Sequence, residues 1–340
     1  MIRLLLATST AWAISACATA PEMLPFEIQN IPASAETAPM TGFGDRADDP
    51  AIWVSDRANQ HPLILGTNKQ EGLHVYDLSG RELQFLDVGM INNVDIRRRY
   101  AVASNDENEV LSWFSITGDG DAPVLHIGDT PVEKMEPYGV CLGEDAEGLV
   151  AATTYKDGIV QLWRAEMAGD GAVSTTLERT VQLPSQLEGC VFDDYQNRLF
   201  IGEEAFGIWS LSYLDNEAEP QVVDRIEDSN GLVEDTEGLS IWSAPNGGYL
   251  IASAQEADRY VVYELLPPHA PLGVFSIGPS IDGLIDGVTH TDGLDVVSSP
   301  LPGFPNGLLV VQDDANPADE VDQNFKLVDW TTIREALEIE

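Results

Sequence analysis

The sequence predicts an all-β fold, a six-bladed β-propeller whose ring is closed by an N-terminal strand. Three observations carry that expectation. First, a polar or acidic residue followed by a short apolar run recurs six times, at Asp49, Asn93, Tyr138, Glu188, Glu237 and Asp292, with spacings of 44, 45, 50, 49 and 55 residues. A period of roughly 40–50 residues built from short strands marks propeller blades. Second, every unit holds two more β-rich runs bounded by Gly, Asp and Asn turns, such as Leu63–Gly66 and Leu73–Tyr76 in the first. Third, the sixth unit runs out of chain after its third strand, Phe325–Val328. Phe26 to Ile31 is the candidate for the missing strand, and closure would hide an otherwise exposed edge.

The elements follow in chain order. Residues 1–16 read as a lipoprotein-type signal peptide, with Arg3 as the positive start and Leu4 to Ile14 as the apolar middle. Ile14-Ser15-Ala16-Cys17 resembles a bacterial lipobox, which would place a lipid on Cys17; ordinary secretion is the other reading. If the cell is Gram-negative, Ala18, rather than an aspartate, points to the outer membrane, with a periplasmic or cell-surface location as the wider expectation. Residues 17–34, with several prolines, form a tether and the start of the closing strand, and residues 35–340 form the propeller domain. Thr331 to Glu340 reads as a short helix on the rim. Cys141 and Cys190 occupy matching places in adjacent repeats. They are either a disulfide, which export permits, or two small buried hydrophobes.

Composition narrows the function. The chain has 340 residues, 44% of them hydrophobic, and a formal net charge of −40. That surface repels nucleic acid and anionic lipid. It serves solubility, cation collection or both. After the N-terminus no stretch is long enough to span a membrane, so membrane contact is expected only through a lipid on Cys17. A closed ring has no obligate need for a partner, and a monomer is expected.

In an antiparallel hairpin the start of one strand lies beside the end of the next. The six opening residues therefore sit beside Thr67-Asn68-Lys69, Ser104-Asn105-Asp106, Thr154-Tyr155-Lys156, Glu203-Glu204, Ser253-Ala254-Gln255 and Gln312-Asp313-Asp314. All of them land on one face, around the mouth of the central channel. Packed carboxylates repel, so either some stay protonated or a cation sits among them. Hard oxygen donors without a His or Cys cluster suit calcium better than zinc or copper. Lys69 and Lys156, with Arg97 nearby, suit an anionic substrate such as a phosphate ester. The five histidines show no triad or metal-ligand spacing, although His290 lies close to Asp286 and Asp292. No nucleophile elbow, P-loop or nucleotide-binding glycine pattern occurs.

Asp48-Asp49-Pro50-Ala51-Ile52-Trp53, Gly66-Thr67-Asn68-Lys69, Asn92-Asn93-Val94-Asp95-Ile96-Arg97, Glu188-Gly189, Asp235-Thr236-Glu237-Gly238 and Asp286-Gly287 together resemble the β-propeller phytases, also called alkaline phytases. The match runs in order from about residue 35 to about residue 333. The resemblance implies an enzyme of the 3-phytase type, a phosphoric monoester hydrolase that removes phosphate from phytate (myo-inositol hexakisphosphate) with several calcium ions. It implies metal ligands at Glu36, Asp49, Tyr138, Glu188, Glu204, Asp235, Glu237, Gln255 and Asp286. Of these, Tyr138, Glu188, Glu204, Asp235 and Glu237 would also serve catalysis. Lys69, Lys156 and Arg97 would grip phosphates. Calcium would neutralise the substrate and lower the pKa of a bound water that attacks phosphorus in line.

Two departures from the family pattern stand out. The chain has Asn105-Asp106-Glu107 where the family usually shows Asn-Arg-Ser, and Lys69-Gln70 where it often has two lysines. Both remove positive charge from the phosphate path. They leave room for a lactonase-like calcium-dependent hydrolase on the same scaffold, or for a non-catalytic calcium-dependent surface lipoprotein.

Overall fold

Six inner strands surround a central channel: Ala47–Trp53, Ile91–Arg97, Gly139–Asp145, Leu187–Asp193, Leu239–Ala244 and Leu294–Val297. The computed structural model describes residues 24–340 apart from 41–43, 56, 58–59, 135, 170, 246 and 317–321, so the expected signal peptide and Cys17 lie outside the described residues. Each inner strand packs against those of both neighbouring blades, and the sixth returns against the first. The ring is closed. From each inner strand an antiparallel sheet extends outward, its next two strands following in chain order.

Burial follows from this stacking. Each sheet is covered by a blade on either side, so inner and second strands are buried nearly throughout. Six apolar clusters fill the structure, one at each blade interface. Leu65 and Phe114, wholly buried, belong to the interface of blades one and two. A buried leucine of this kind contributes about 2–5 kcal/mol.

The N-terminal segment closes the ring with two strands. Ile28–Pro32 pairs in parallel with Pro271–Gly278 and becomes a fifth strand on blade five. Ala35–Glu36 pairs with Asn324–Asp329 and takes the outer place in blade six. The missing strand of blade six is therefore Ala35–Glu36 and not Phe26 to Ile31. Proline ends the first strand, and the chain crosses blades at the next two residues. The Ala33 amide donates to Gly278 of blade five at 3.0 Å, and the Ser34 amide donates to Leu327 of blade six at 2.8 Å.

The C-terminal helix spans Trp330–Leu337. Asp329 caps it by accepting the Thr331 amide at 2.9 Å, and Trp330 and Ile333 bury against blades five and six. Cys141 and Cys190 form a disulfide between the inner strands of blades three and four, across 49 residues of sequence. Closing a loop of that length removes about 4 kcal/mol of unfolded-chain entropy at 25 °C.

Candidate metal centre

The mouth of the channel is built by close backbone approach. Four repeats open on a residue followed by glycine: Tyr138-Gly139, Glu188-Gly189, Glu237-Gly238 and Asp292-Gly293. A Cβ on Gly189 would lie 1.5 Å from the Glu237 carbonyl oxygen, and one on Gly139 would lie 2.0 Å from that of Glu188. Only glycine lets successive inner strands touch in this way. Hydroxyls at the ends of second strands fasten the contact. Ser104 donates to the Tyr138 carbonyl at 2.7 Å, Thr154 to Glu188 at 2.6 Å and Ser253 to Asp292 at 3.0 Å. Acids on successive blades are thereby held side by side.

β-Bulges then aim the side chains. Pairing jumps from Ala47↔Asn68 to Pro50↔Gly66 in blade one, and from Leu187↔Glu203 to Cys190↔Ile201 in blade four. One extra residue at each jump re-aims its neighbours. Asp48 and Asp49 diverge as a result. Asp48 is fully buried and stands 3.6 Å from Lys69 Nζ, and among the described residues neither of its carboxylate oxygens has a hydrogen-bond partner. Asp49 instead accepts the Val94 amide at 3.0 Å and lines the central cavity of about 230 Å³.

Glu188, Glu204 and Glu237 bring one carboxylate oxygen each within 4.8 Å of one another. Glu188 is 2% exposed, and its Oε2 has no hydrogen-bond partner among the described residues. Burial pushes Glu188 up to about 8, with Lys69 opposing and Asp292 and Glu204 adding to the rise. Burial pushes Glu237 up to about 12, with Glu188, Asp292 and Asp48 reinforcing it. The Tyr138 hydroxyl lies close enough to Glu188 to oppose its rise, and burial raises the pKa of the tyrosine itself. Lys156 Nζ sits 4.1 Å above the Tyr138 ring. Glu204 accepts the Gln186 side-chain amide at 2.7 Å. Asp235, in the left-handed region at φ 62, donates its backbone amide to the Glu204 carbonyl at 3.0 Å.

Lys69 is the cation paired with these acids. Its Nζ donates to Asp292 and to Asp45, each at 2.9 Å. Burial alone would lower its pKa, but Asp48, Asp292, Asp45 and Glu188 hold it above the ordinary value. Gln255 donates its side-chain amide to Asp292. Asp106 lies within electrostatic reach of both lysines, and burial lifts it to about 6 against the pull of Lys156.

The donor set fits a divalent cation. Three carboxylates converge, and buried oxygens on Asp48 and Glu188 lack partners. Buried carboxylates are costly unless a proton, a donor or a cation compensates them. All the donors are hard oxygens, the kind calcium or magnesium takes. The Glu188–Glu204–Glu237 group is thus a potential metal-binding cluster.

Glu36 and Asp286 do not join it. They lie farther out on the same face, where Lys326 Nζ contacts Glu36, Asp286 and Asp313 at 2.6, 2.6 and 3.0 Å. Lys326 is fully buried, so an internal ammonium compensates these acids. Arg97 is not at the mouth either. It ends the inner strand of blade two, seven residues long, and so stands roughly 20 Å away at about 3.3 Å per residue. There it pairs with Asp95 and Asp194, each at 3.2 Å. His290 is exposed, and its backbone amide donates to Asp258.

Three residues join the acidic face that sequence reasoning leaves out of the site: Asp48, Asp292 and Lys326. Asp48 is half of an acidic doublet and Asp292 opens the sixth repeat, so both carry a signal. Lys326 lies in a third strand that otherwise reads as core; the Asn324-Phe325-Lys326 run is part of the family resemblance but carries no assigned role.

Fold and site together define a six-bladed propeller with a potential metal-binding mouth edged by lysines. The profile of the phytase family matches residues 2–340. A 3-phytase of Bacillus subtilis (strain 168) is 36% identical over 334 residues, covering 90% of this chain and 85% of that protein. The chain belongs to the phytase family and is a phosphoric monoester hydrolase. Among solved structures, a chain of the nidogen/laminin complex superposes with a TM-score of 0.48 at 12% identity, over 68% of this chain and 80% of that one.

Proposed function

We propose that the protein is a calcium-dependent phosphomonoesterase that releases phosphate from myo-inositol hexakisphosphate. The observation that carries this reading is the Glu188–Glu204–Glu237 cluster, with its partnerless buried Glu188 oxygen, in a mouth that also holds Lys69 and Lys156. Those three glutamates, with Asp48, Asp235 and Asp292 around them, would hold the cations. When bound, calcium supplies charge neutralisation and a water of lowered pKa.

The chain's own residues bind and orient. Lys156, kept over the Tyr138 ring, acts as a point charge for one phosphate. Lys69 spends two of its three N–H donors on Asp45 and Asp292, which leaves one for a phosphate oxygen. Tyr138, with its hydroxyl beside Glu188, would orient that carboxylate in the mouth. Asp106, ionised at neutral pH and near both lysines, favours esters with fewer phosphates over the fully phosphorylated ring.

The deciding experiment is phosphate release from phytate across a calcium titration, with a chelated control. Activity should rise with calcium and vanish on chelation. Full activity in chelator would reject the calcium dependence, and lactone hydrolysis without phosphate release would replace the substrate.

The proposal extends to location. The Ile14–Cys17 lipobox-like run supports export with a lipid on Cys17, and the Cys141–Cys190 disulfide suits an oxidising compartment. Palmitate labelling that is lost in Cys17→Ser would support the anchor, and an unlabelled native protein would reject it.

A further inference from the structure

The end of the channel opposite the acidic mouth holds a local cluster of arginines. The chain has only 17 lysines and arginines against 57 acids, yet Arg57, Arg97, Arg98 and Arg99 line one cavity between blades one and two. Its volume is about 730 Å³, and it shares Ile52, Ile96, Arg97 and Val297 with the lower end of the central channel. Asp119 is the sole carboxylate of its lining among the described residues, and Gln60 donates to it at 3.1 Å.

The four guanidiniums are not equally engaged. Arg97 is neutralised by Asp95 and Asp194, and Arg98 pairs with Glu144. Among the described residues, neither Arg57 nor Arg99 has a carboxylate within ion-pair distance; Arg99 lies 5.7 Å over the Tyr100 ring. So acidic a surface supplies partners for most of its cations, and here two are left over at one cavity. The turn that presents them is braced. Trp53 Nε1 donates to the Arg98 carbonyl at 2.8 Å and ties the hairpin to blade one.

We propose that this cavity is an anion site for a small soluble phosphate, either inorganic phosphate or a phosphomonoester, held by Arg57, Arg98 and Arg99. The planar guanidinium fork matches phosphate oxygens in pairs. The volume falls within the range of small-molecule pockets, roughly 300–1,000 Å³. A concave site on a chain of net charge −40 does not suit an anionic bilayer, so the ligand is a free anion and not a lipid headgroup. The assignment stands apart from the chemistry at the acidic mouth, because it needs no metal.

The test uses the full chain in chelator at low salt, with equilibrium dialysis against labelled inorganic phosphate. One saturable site is expected. Arg99→Ser should weaken it about tenfold, the loss of one charge-assisted hydrogen-bonding partner. Arg98→Asn combined with Arg99→Ser should abolish saturation; asparagine is chosen because Arg98 has φ 56. Glu144→Gln, which releases Arg98 from its partner, should tighten binding severalfold. Native binding in the double variant, or no saturable binding by the native protein, would overturn the proposal, and an unchanged affinity in Glu144→Gln would remove Arg98 from the site. Vesicles of phosphatidylglycerol should not capture the protein. Capture by vesicles without uptake of soluble phosphate would overturn the assignment to a small anion.

Discussion

Glu188→Gln preserves the shape of the side chain and removes its charge, and its effect should reverse sign with calcium. Without metal, the native protein must bury a carboxyl group that burial pushes from 4.5 to about 8. Keeping it protonated at pH 7 spans about 2.5 pH units, and at ~1.36 kcal/mol per unit this costs about 3 kcal/mol. The raised value means that the folded chain holds this proton more tightly than the unfolded chain. The group's stabilising contribution is complete below about pH 4.5 and is lost as pH rises towards 8. Glutamine escapes that loss. An entropy of unfolding near 0.6 kcal/mol/K for about 300 residues converts 3 kcal/mol into about 5 °C. In chelator at pH 7 the variant should therefore melt about 5 °C above the native protein, and the gap should close near pH 4.5. With saturating calcium the order should invert, because the native carboxylate then gains the binding free energy of the ion. Differential scanning calorimetry with and without chelator measures both. A variant less stable than the native protein in chelator at pH 7 would refute the reasoning, since it would show that Glu188 is already compensated by the chain.

Lys156→Ala should raise KM for a phosphate ester about tenfold and leave the calcium-induced rise in Tm unchanged; loss of that rise would place Lys156 in the metal cluster. Asp106→Arg should improve kcat/KM on phytate about tenfold at pH 7, and less at pH 5, where a group lifted to about 6 is already largely neutral. Equal gains at both pH values would separate the effect from the charge of Asp106. Lys326→Met leaves Glu36, Asp286 and Asp313 uncompensated and should cost about 3–5 kcal/mol in chelated urea melts; a loss under about 1 kcal/mol would show that the ammonium does not hold these acids. Replacing Cys141 and Cys190 together by alanine should cost about 4 kcal/mol, and a native melt indifferent to reductant would deny the bond.

Much of the acidic face is legible in the chain. Antiparallel pairing puts the start of each inner strand beside the end of the second, which is enough to place Tyr138, Glu188, Glu204, Glu237, Lys69 and Lys156 at one mouth. The place of Arg97 also follows from strand direction, since it ends an inner strand whose start faces that mouth. The glycine after four of the six opening residues marks where blades touch.

The amino-acid sequence by itself determined the ring, its six units and the side on which acids gather, because strand period, turn residues and hairpin polarity are properties of neighbours along the chain. Folding alone decided the rest. A bulge of one residue chose Asp48 over Asp49 for the mouth, as a register shift exchanges the two faces of a strand. The crossing at Ala33 and Ser34 decided which N-terminal segment completes blade six. Lys326 meets Glu36 from 290 positions away, and that contact sets Glu36 and Asp286 around an internal ammonium, apart from the potential metal-binding cluster of Glu188, Glu204 and Glu237. Side-chain aim and charge compensation depend on groups that are distant in sequence and meet only in the folded ring.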